Sequence, residues 1–107
     1  MFVIFCLKCW LSVFDESSSI GSETVVKALP QAAKNKSVKA VVLRVNSPGG
    51  DAIASELITN EVIKTKKIKP VIVSMGDVAA SAGYEMSSNA TKIVALPDEY
   101  RFHCLSL

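Results

Sequence analysis

The feature that most constrains this chain is the run Val38–Val45, VKAVVLRV, which is rich in β-branched residues and nearly unbroken in its hydrophobicity. A strand with one solvated face alternates apolar and polar side chains, whereas a strand covered on both faces does not. The run therefore predicts a strand buried on both faces, inside a parallel sheet. It stops at Asn46-Ser47-Pro48-Gly49-Gly50, a strong turn signal.

The neighbouring segments fit a sheet of that kind. Residues 51–64 carry Ile53, Leu57, Ile58, Val62 and Ile63 at spacings of three and four, which predicts an amphipathic helix with that stripe buried. Lys64, Lys66, Lys67 and Lys69 close it, since cations are favoured at a helix C-terminus, and they read as a solvated cap. Pro70 opens a second strand, Val71–Ser74, which Met75-Gly76-Asp77 should end. A short helix over Ala79–Met86 and a third apolar strand, Lys92–Ala95, follow. Upstream, Ser22 reads as the N-cap of a helix starting near Glu23, with Val25, Leu29 and Ala32 or Ala33 as its buried stripe. Pro30 lacks a backbone donor and is expected to kink or shorten that helix. Strands alternating with helices across short links indicate an α/β fold of right-handed βαβ units.

A chain of 107 residues and 11.5 kDa holds at most one small domain, and 50% hydrophobic with 21% charged residues is a globular composition. The net charge of +2, without a long basic run, gives no reason to expect nucleic acid. Cys6, Cys9 and Cys104 make no disulfide framework. A zinc site of Cys6, Cys9, His103 and Cys104 can be drawn, but adjacent His and Cys side chains rarely share one tetrahedral ion, so no metal or cofactor is expected. The opening MFVIFCLKCWLSVF is about four residues short of the usual membrane-spanning minimum and carries Lys8. It also lacks the charged start and cleavage site of a signal peptide. A buried strand and a membrane-touching segment are both open for it, and the compartment is undetermined.

In parallel sheets, sites collect beyond the carboxyl ends of the strands. One such loop holds Gly49 and Gly50, whose small size lets backbone N–H groups approach a ligand and stabilise an oxyanion. The other, Gly76-Asp77-Val78-Ala79-Ala80-Ser81-Ala82-Gly83-Tyr84, places Ser81 among small residues at a helix start. Taken singly, a glycine-rich loop is most often a turn and such a serine most often an N-cap.

Together, VVLRVNSPGGDAIASEL and KPVIVSMGDVAASAGY, with Ser81 34 positions after Ser47, resemble the signal peptide peptidase A (protease IV) family. Clp proteases share a similar N-S-P-G-G and A-A-S pair. The resemblance implies a Clp/crotonase-like fold, incomplete in this chain, and a Ser–Lys dyad acting on peptide substrates. Ser81 matches the nucleophile, Gly49 and Gly50 the oxyanion loop, and the N–H of Ala82 a second donor; the family commonly has Gly in place of Ala82. Tyr84 matches a family aromatic that packs. The family's lysine base comes from well downstream of the serine or from an earlier homologous domain. Lys36, Lys39, Lys64 to Lys69 and Lys92 are all expected at the amino ends of strands, across the sheet from Ser81, and His103 lies in an unpatterned tail. The resemblance thus implies a base from a partner chain or domain, or from a homo-oligomer, and association with a membrane. It covers residues 22–95, between an unmatched apolar segment and loop (1–21) and an unmatched tail (96–107), the pattern of a fragment with negligible activity alone. Two other readings stand beside it: a degenerate assembly or binding module, and an acyl-CoA enzyme of the crotonase type.

Overall fold

The computed structural model describes residues 2–8, 10–12 and 19–97, with side chains from Gly21 onward. Cys9, His103, Cys104 and the rest of the tail from residue 98 lie outside the described residues, as does the Cys6 side chain. The elements are β1 (Phe2–Lys8), β2 (Trp10–Ser12), β3 (Ser19–Gly21), α1 (Ser22–Lys34), β4 (Ala40–Ser47), α2 (Ala52–Lys66), β5 (Val71–Ala79), α3 (Ala82–Ser88) and β6 (Lys92–Val94). Four strands form a parallel sheet in the order β1-β4-β5-β6, and β2 pairs with β3, also in parallel. Residues 2–8 of the apolar opening segment are thus a strand, with Phe2 opposite Ala40 and Lys8 opposite Asn46.

β4 is the centre of the core, but its two faces differ. Val41, Leu43 and Val45 are fully buried, whereas Val42, Arg44 and Asn46 between them are half-buried. The expectation of equal burial fails because Arg44 occupies the second face. Its Nη1 donates to Ser74 Oγ at 2.8 Å and to the Met75 carbonyl at 2.7 Å, which satisfies the guanidinium without removing it fully from water.

Three boundaries depart from the sequence pattern. β5 does not stop at Ser74 but continues through Met75-Gly76-Asp77 to Ala79. Val45 pairs with Met75 and Ser47 with Ala79, so β5 bulges by two extra residues opposite Asn46. The side chain of Asn46 fills the gap, its Oδ1 accepting from the Val78 N–H at 3.2 Å, which lets the strand continue. α3 consequently starts at Ala82 and not at Ala79. In α1, Gly21 is the N-cap and Ser22 is the first, buried, helical residue. Pro30 sits inside α1 without shortening it; the helix runs on to Lys34 with Val25, Leu29, Ala32 and Ala33 buried as its spacing predicts.

α2 buries Ile58 and Val62 as its spacing predicts, but not Ile53 and Leu57. Ala54, Ser55, Ile58, Val62 and Thr65 face inward, whereas Ile53 and Leu57 are 63% and 42% exposed. Two helices decide this: α2 packs on both α1 and α3, and only small residues at 54 and 55 allow α3 to close on its first turns. Asp51 caps α2, its Oδ1 accepting from the Ala54 N–H at 2.9 Å. Lys69 caps not its own helix but α1, donating to the carbonyls of Ala32 and Asn35. β6 is an edge strand whose three residues are exposed, in place of the buried strand its apolar run suggests. Among the described residues no helix is long and apolar enough to cross a membrane.

Ile58→Ala should lower unfolding free energy by about 2–5 kcal/mol, since it empties a fully buried site. Ile53→Ala should change it by no more than about 0.5 kcal/mol. Urea titrations of the two variants check the assignment; equal losses would place α2 in the wrong rotation.

Candidate active site

The bulge in β5 sets the position of everything that follows. A Cβ on Gly76 would lie 2.8 Å from Asn46 Cβ, so the bulge closes over Asn46 only because residue 76 has no side chain. Beyond it, the Ala80 N–H donates to the Ser47 carbonyl at 3.0 Å and ties the end of β5 to the end of β4. The next residue is Ser81.

Ser81 stands at φ 49°, ψ −122°. That combination suits glycine, and a residue with a Cβ holds it at a cost of order 1–3 kcal/mol. Ser81 occupies the N-cap position of α3, yet its side chain makes no capping hydrogen bond. The bland reading of this serine as a helix cap therefore fails. The sharp turn instead aims its Oγ at the loop after β4. A Cβ on Gly49 would lie 2.9 Å from Ser81 Cβ and 3.3 Å from Ser81 Oγ. Gly49 and Gly50 have φ of 128° and 156°, and Gly49, in glycine's own region, makes the close approach possible.

Two buried serines brace this junction, and neither was singled out in the sequence as a site residue. Ser47 Oγ lies 3.1 Å from both polar groups of Gly49, accepting from its N–H and donating to its carbonyl, which fixes the turn through Pro48. Ser55 Oγ donates to Glu85 Oε2 at 3.0 Å and lies 3.4 Å from the Ala82 carbonyl, holding α3 against α2. Gly83 packs on the Ser47 carbonyl, where a Cβ would come within 3.1 Å. A serine in a strand-end Ser-Pro-Gly turn has a hydroxyl two residues from a backbone donor, so that signal for Ser47 was legible. Ser55 carried none.

The structure thus brings Ser81, Gly49, Gly50 and Ala82 to one end of the sheet. It does not bring the weighed lysines there. Lys36 and Lys39 precede β4, Lys64 to Lys69 precede β5 and Lys92 opens β6, all at the amino ends. From Val71 to Ala79 the strand spans roughly 25 Å, several times the reach of a lysine. Lys8 is the exception in backbone position: its register with Asn46 puts it at the carboxyl end, but on β1, separated from β5 by β4.

Comparison with known proteins gives this geometry a context. The model of peptidase family S49 matches residues 63–99. Protease 4 of Haemophilus influenzae is 53% identical over 81 residues, covering 75% of this chain and 13% of that protein. Serine protease SPPA, chloroplastic, of Arabidopsis thaliana is 45% identical over 78 residues, 73% of this chain and 12% of its own length. Over these spans the sequence is similar to peptidase family S49. The chain spans about an eighth of the length of these two S49 relatives. Its fold matches that of a membrane-bound stomatin-specific protease in complex with a substrate peptide, with a TM-score of 0.80 at 19% identity over 100% of this chain and 46% of that one. ClpP1 from Listeria monocytogenes superposes with a TM-score of 0.63 at 23% identity, covering 95% of this chain and 55% of its own, which identifies the Clp/crotonase-like sheet.

The strain at Ser81 can be measured. Ser81→Gly should be more stable than Ser81→Ala by about 1 kcal/mol, because glycine adopts φ 49° freely and its extra unfolded-state entropy offsets part of the gain. Denaturant unfolding of the pair decides it; an alanine variant as stable as the glycine one would mean a relaxed turn.

Proposed function

We propose that this segment, similar to peptidase family S49, carries the acyl-transfer centre of a serine peptidase, with Ser81 as nucleophile. The observation that carries the reading is the strained, uncapped Ser81 packed against Gly49, 32 residues earlier in sequence. A helix cap does not need such a turn, whereas an exposed nucleophile on a strand-to-helix elbow does.

In this reading Ser81 Oγ attacks the carbonyl carbon of a peptide bond while its proton passes to a neutral lysine amine. The negative charge that develops on the carbonyl oxygen needs donors fixed in advance. Gly49 already gives its N–H to Ser47 Oγ, so its part is to make room for the serine. The donors are then the N–H groups of Gly50 and of Ala82, the first residue of α3, whose N–H has no partner within the helix. Collapse of the tetrahedral intermediate passes the proton from lysine to the leaving amine, and water hydrolyses the acyl ester on Ser81 by the same route. The lysine comes from outside the described residues, either from another domain or from a second chain. Extended peptides are the substrates that a loop bearing free backbone groups accepts by strand addition.

An oxyanion loop used for acyl-CoA chemistry would not need a strained serine, and the turn at Ser81 favours the peptidase. A fluorophosphonate probe tests the assignment. The 107-residue chain alone should label faintly, and fusion to the lysine-bearing region of an S49 relative should raise the rate by 10²-fold or more, on the order expected for a general base. Ser81→Ala should abolish the labelling. Labelling that survives this substitution, or a fusion that stays silent, would sink the reading.

A further inference from the structure

The run Arg44-Val45-Asn46-Ser47 closes β4, and three of its four residues make contact with the stretch of β5 that leads into Ser81. Asn46 Oδ1 accepts from the Val78 N–H, and the Ser47 carbonyl accepts from the Ala80 N–H. The third contact lies at the other end of the bulge. Arg44 Nη1 donates to the Met75 carbonyl at 2.7 Å and to Ser74 Oγ at 2.8 Å. Met75 is the residue at which both ladders of β5 stop. The register with β4 breaks after the Val45–Met75 pair, and β6 ends opposite Ser74.

A half-buried arginine on a sheet face is most often a charge that lays its stem along apolar neighbours and keeps its head for water or an acid. Among the described residues Arg44 forms no ion pair; one nitrogen of its guanidinium instead holds two consecutive residues of the neighbouring strand. A bulge needs such a hold, because an extra residue can enter a strand one step earlier or later, and each step turns the side chains it passes to the other face. Begun one residue early, the bulge would draw Met75 out of the core in which it is fully buried. Begun one residue late, it would carry Gly76 away from Asn46, beside which no other residue fits. The Asn46–Gly76 contact guards against the late start, and the bond from Arg44 to the Met75 carbonyl guards against the early one.

We propose that Arg44 is a positioning residue, which pins the start of the β5 bulge and thereby holds the backbone of Ser81 in its strained turn. It acts through Met75, six residues before the serine, from the face of the sheet opposite the helices. A guanidinium suits the task because its donors are fixed in one plane and lose little freedom on bonding. Strain at φ 49° persists only where the surroundings over-determine the chain, and Arg44, Asn46 and Ser47 do so at three successive points, residues 75, 78 and 80. The consequence for acyl transfer rests on the reading of Ser81 as nucleophile. The turn itself does not, and its strain is measurable without any activity.

A double-mutant cycle on the 107-residue chain tests it, read as the gap in urea midpoint between Ser81→Gly and Ser81→Ala. In the Arg44→Met background, which keeps the stem and removes the donors, the gap should shrink to less than about half, because a freed bulge lets alanine relax at position 81. Arg44→Lys keeps a donor and should restore most of the gap. Ser74→Ala removes only the other acceptor and should leave the gap unchanged. Amide exchange at Val78 and Ala80 should quicken by about tenfold or more in Arg44→Met, relative to the Val41 amide, which is bonded to Pro70 away from the bulge. Arg44→Leu replaces Arg44→Met if that variant does not fold. An undiminished gap, with both midpoints lowered equally, would make Arg44 a general stabiliser and overturn the proposal. So would a gap lost equally in Ser74→Ala, or the absence of any gap when Arg44 is in place, since no strained turn would then exist to be held.

Discussion

Everything near the candidate site depends on one steric constraint, the approach of Gly49 to Ser81. The two residues are far apart in sequence, and a side chain at 49 would collide with the serine. To bring them together, β5 must run past its apolar stretch, bulge over Asn46 and end in a turn that a residue with a Cβ holds only under strain. The strain is local and the support is not. Ser47 fixes the glycine loop, Ser55 fixes α3, and the hydrogen bond from Ala80 to Ser47 joins the two. A conformation that costs energy persists because its surroundings over-determine it.

Much of this was legible in the sequence, for identifiable reasons. β4 was readable because a run of β-branched residues has few alternatives, and the elements around it were readable because their periodicities and turn residues agree. The errors fall where the period gives no information. Met75-Gly76-Asp77 looks like a stop, but Asn46 on the neighbouring strand supplies the acceptor that lets the strand continue. Ile53 and Leu57 fit a helical stripe as well as Ala54 and Ser55 do. Which stripe is buried depends on α3 closing against small residues, and hydrophobicity alone does not register that. Ser81 could be located from the sequence, but its φ could not, and the φ separates a strained elbow from an ordinary cap.

The same parallel topology explains why the chain is polarised. Every βαβ unit delivers helix N-termini and strand carboxyl ends to one side, and helix C-termini and strand amino ends to the other. Glycine loops, early-turn acids and Ser81 accumulate on the first side; lysines that satisfy the ends of α1 and α2 accumulate on the second. A modest net charge of +2 therefore conceals a strong separation of charge along the strands.

In the proposed peptidase reading, that separation bears on the lysine base. A lysine is kept neutral beside the serine by a dry, buried place or by a neighbouring cation, both of which disfavour its charged form. The lysines that follow α1 and α2 and open β6 lie where water reaches them, so converting one of those into a base would require moving it across the length of β5. Placing the base on a separate segment avoids that conflict. In the proposed reading the sheet holds Ser81 and the proposed donors rigidly, and the amine comes from a surface whose burial the serine's own domain does not have to supply.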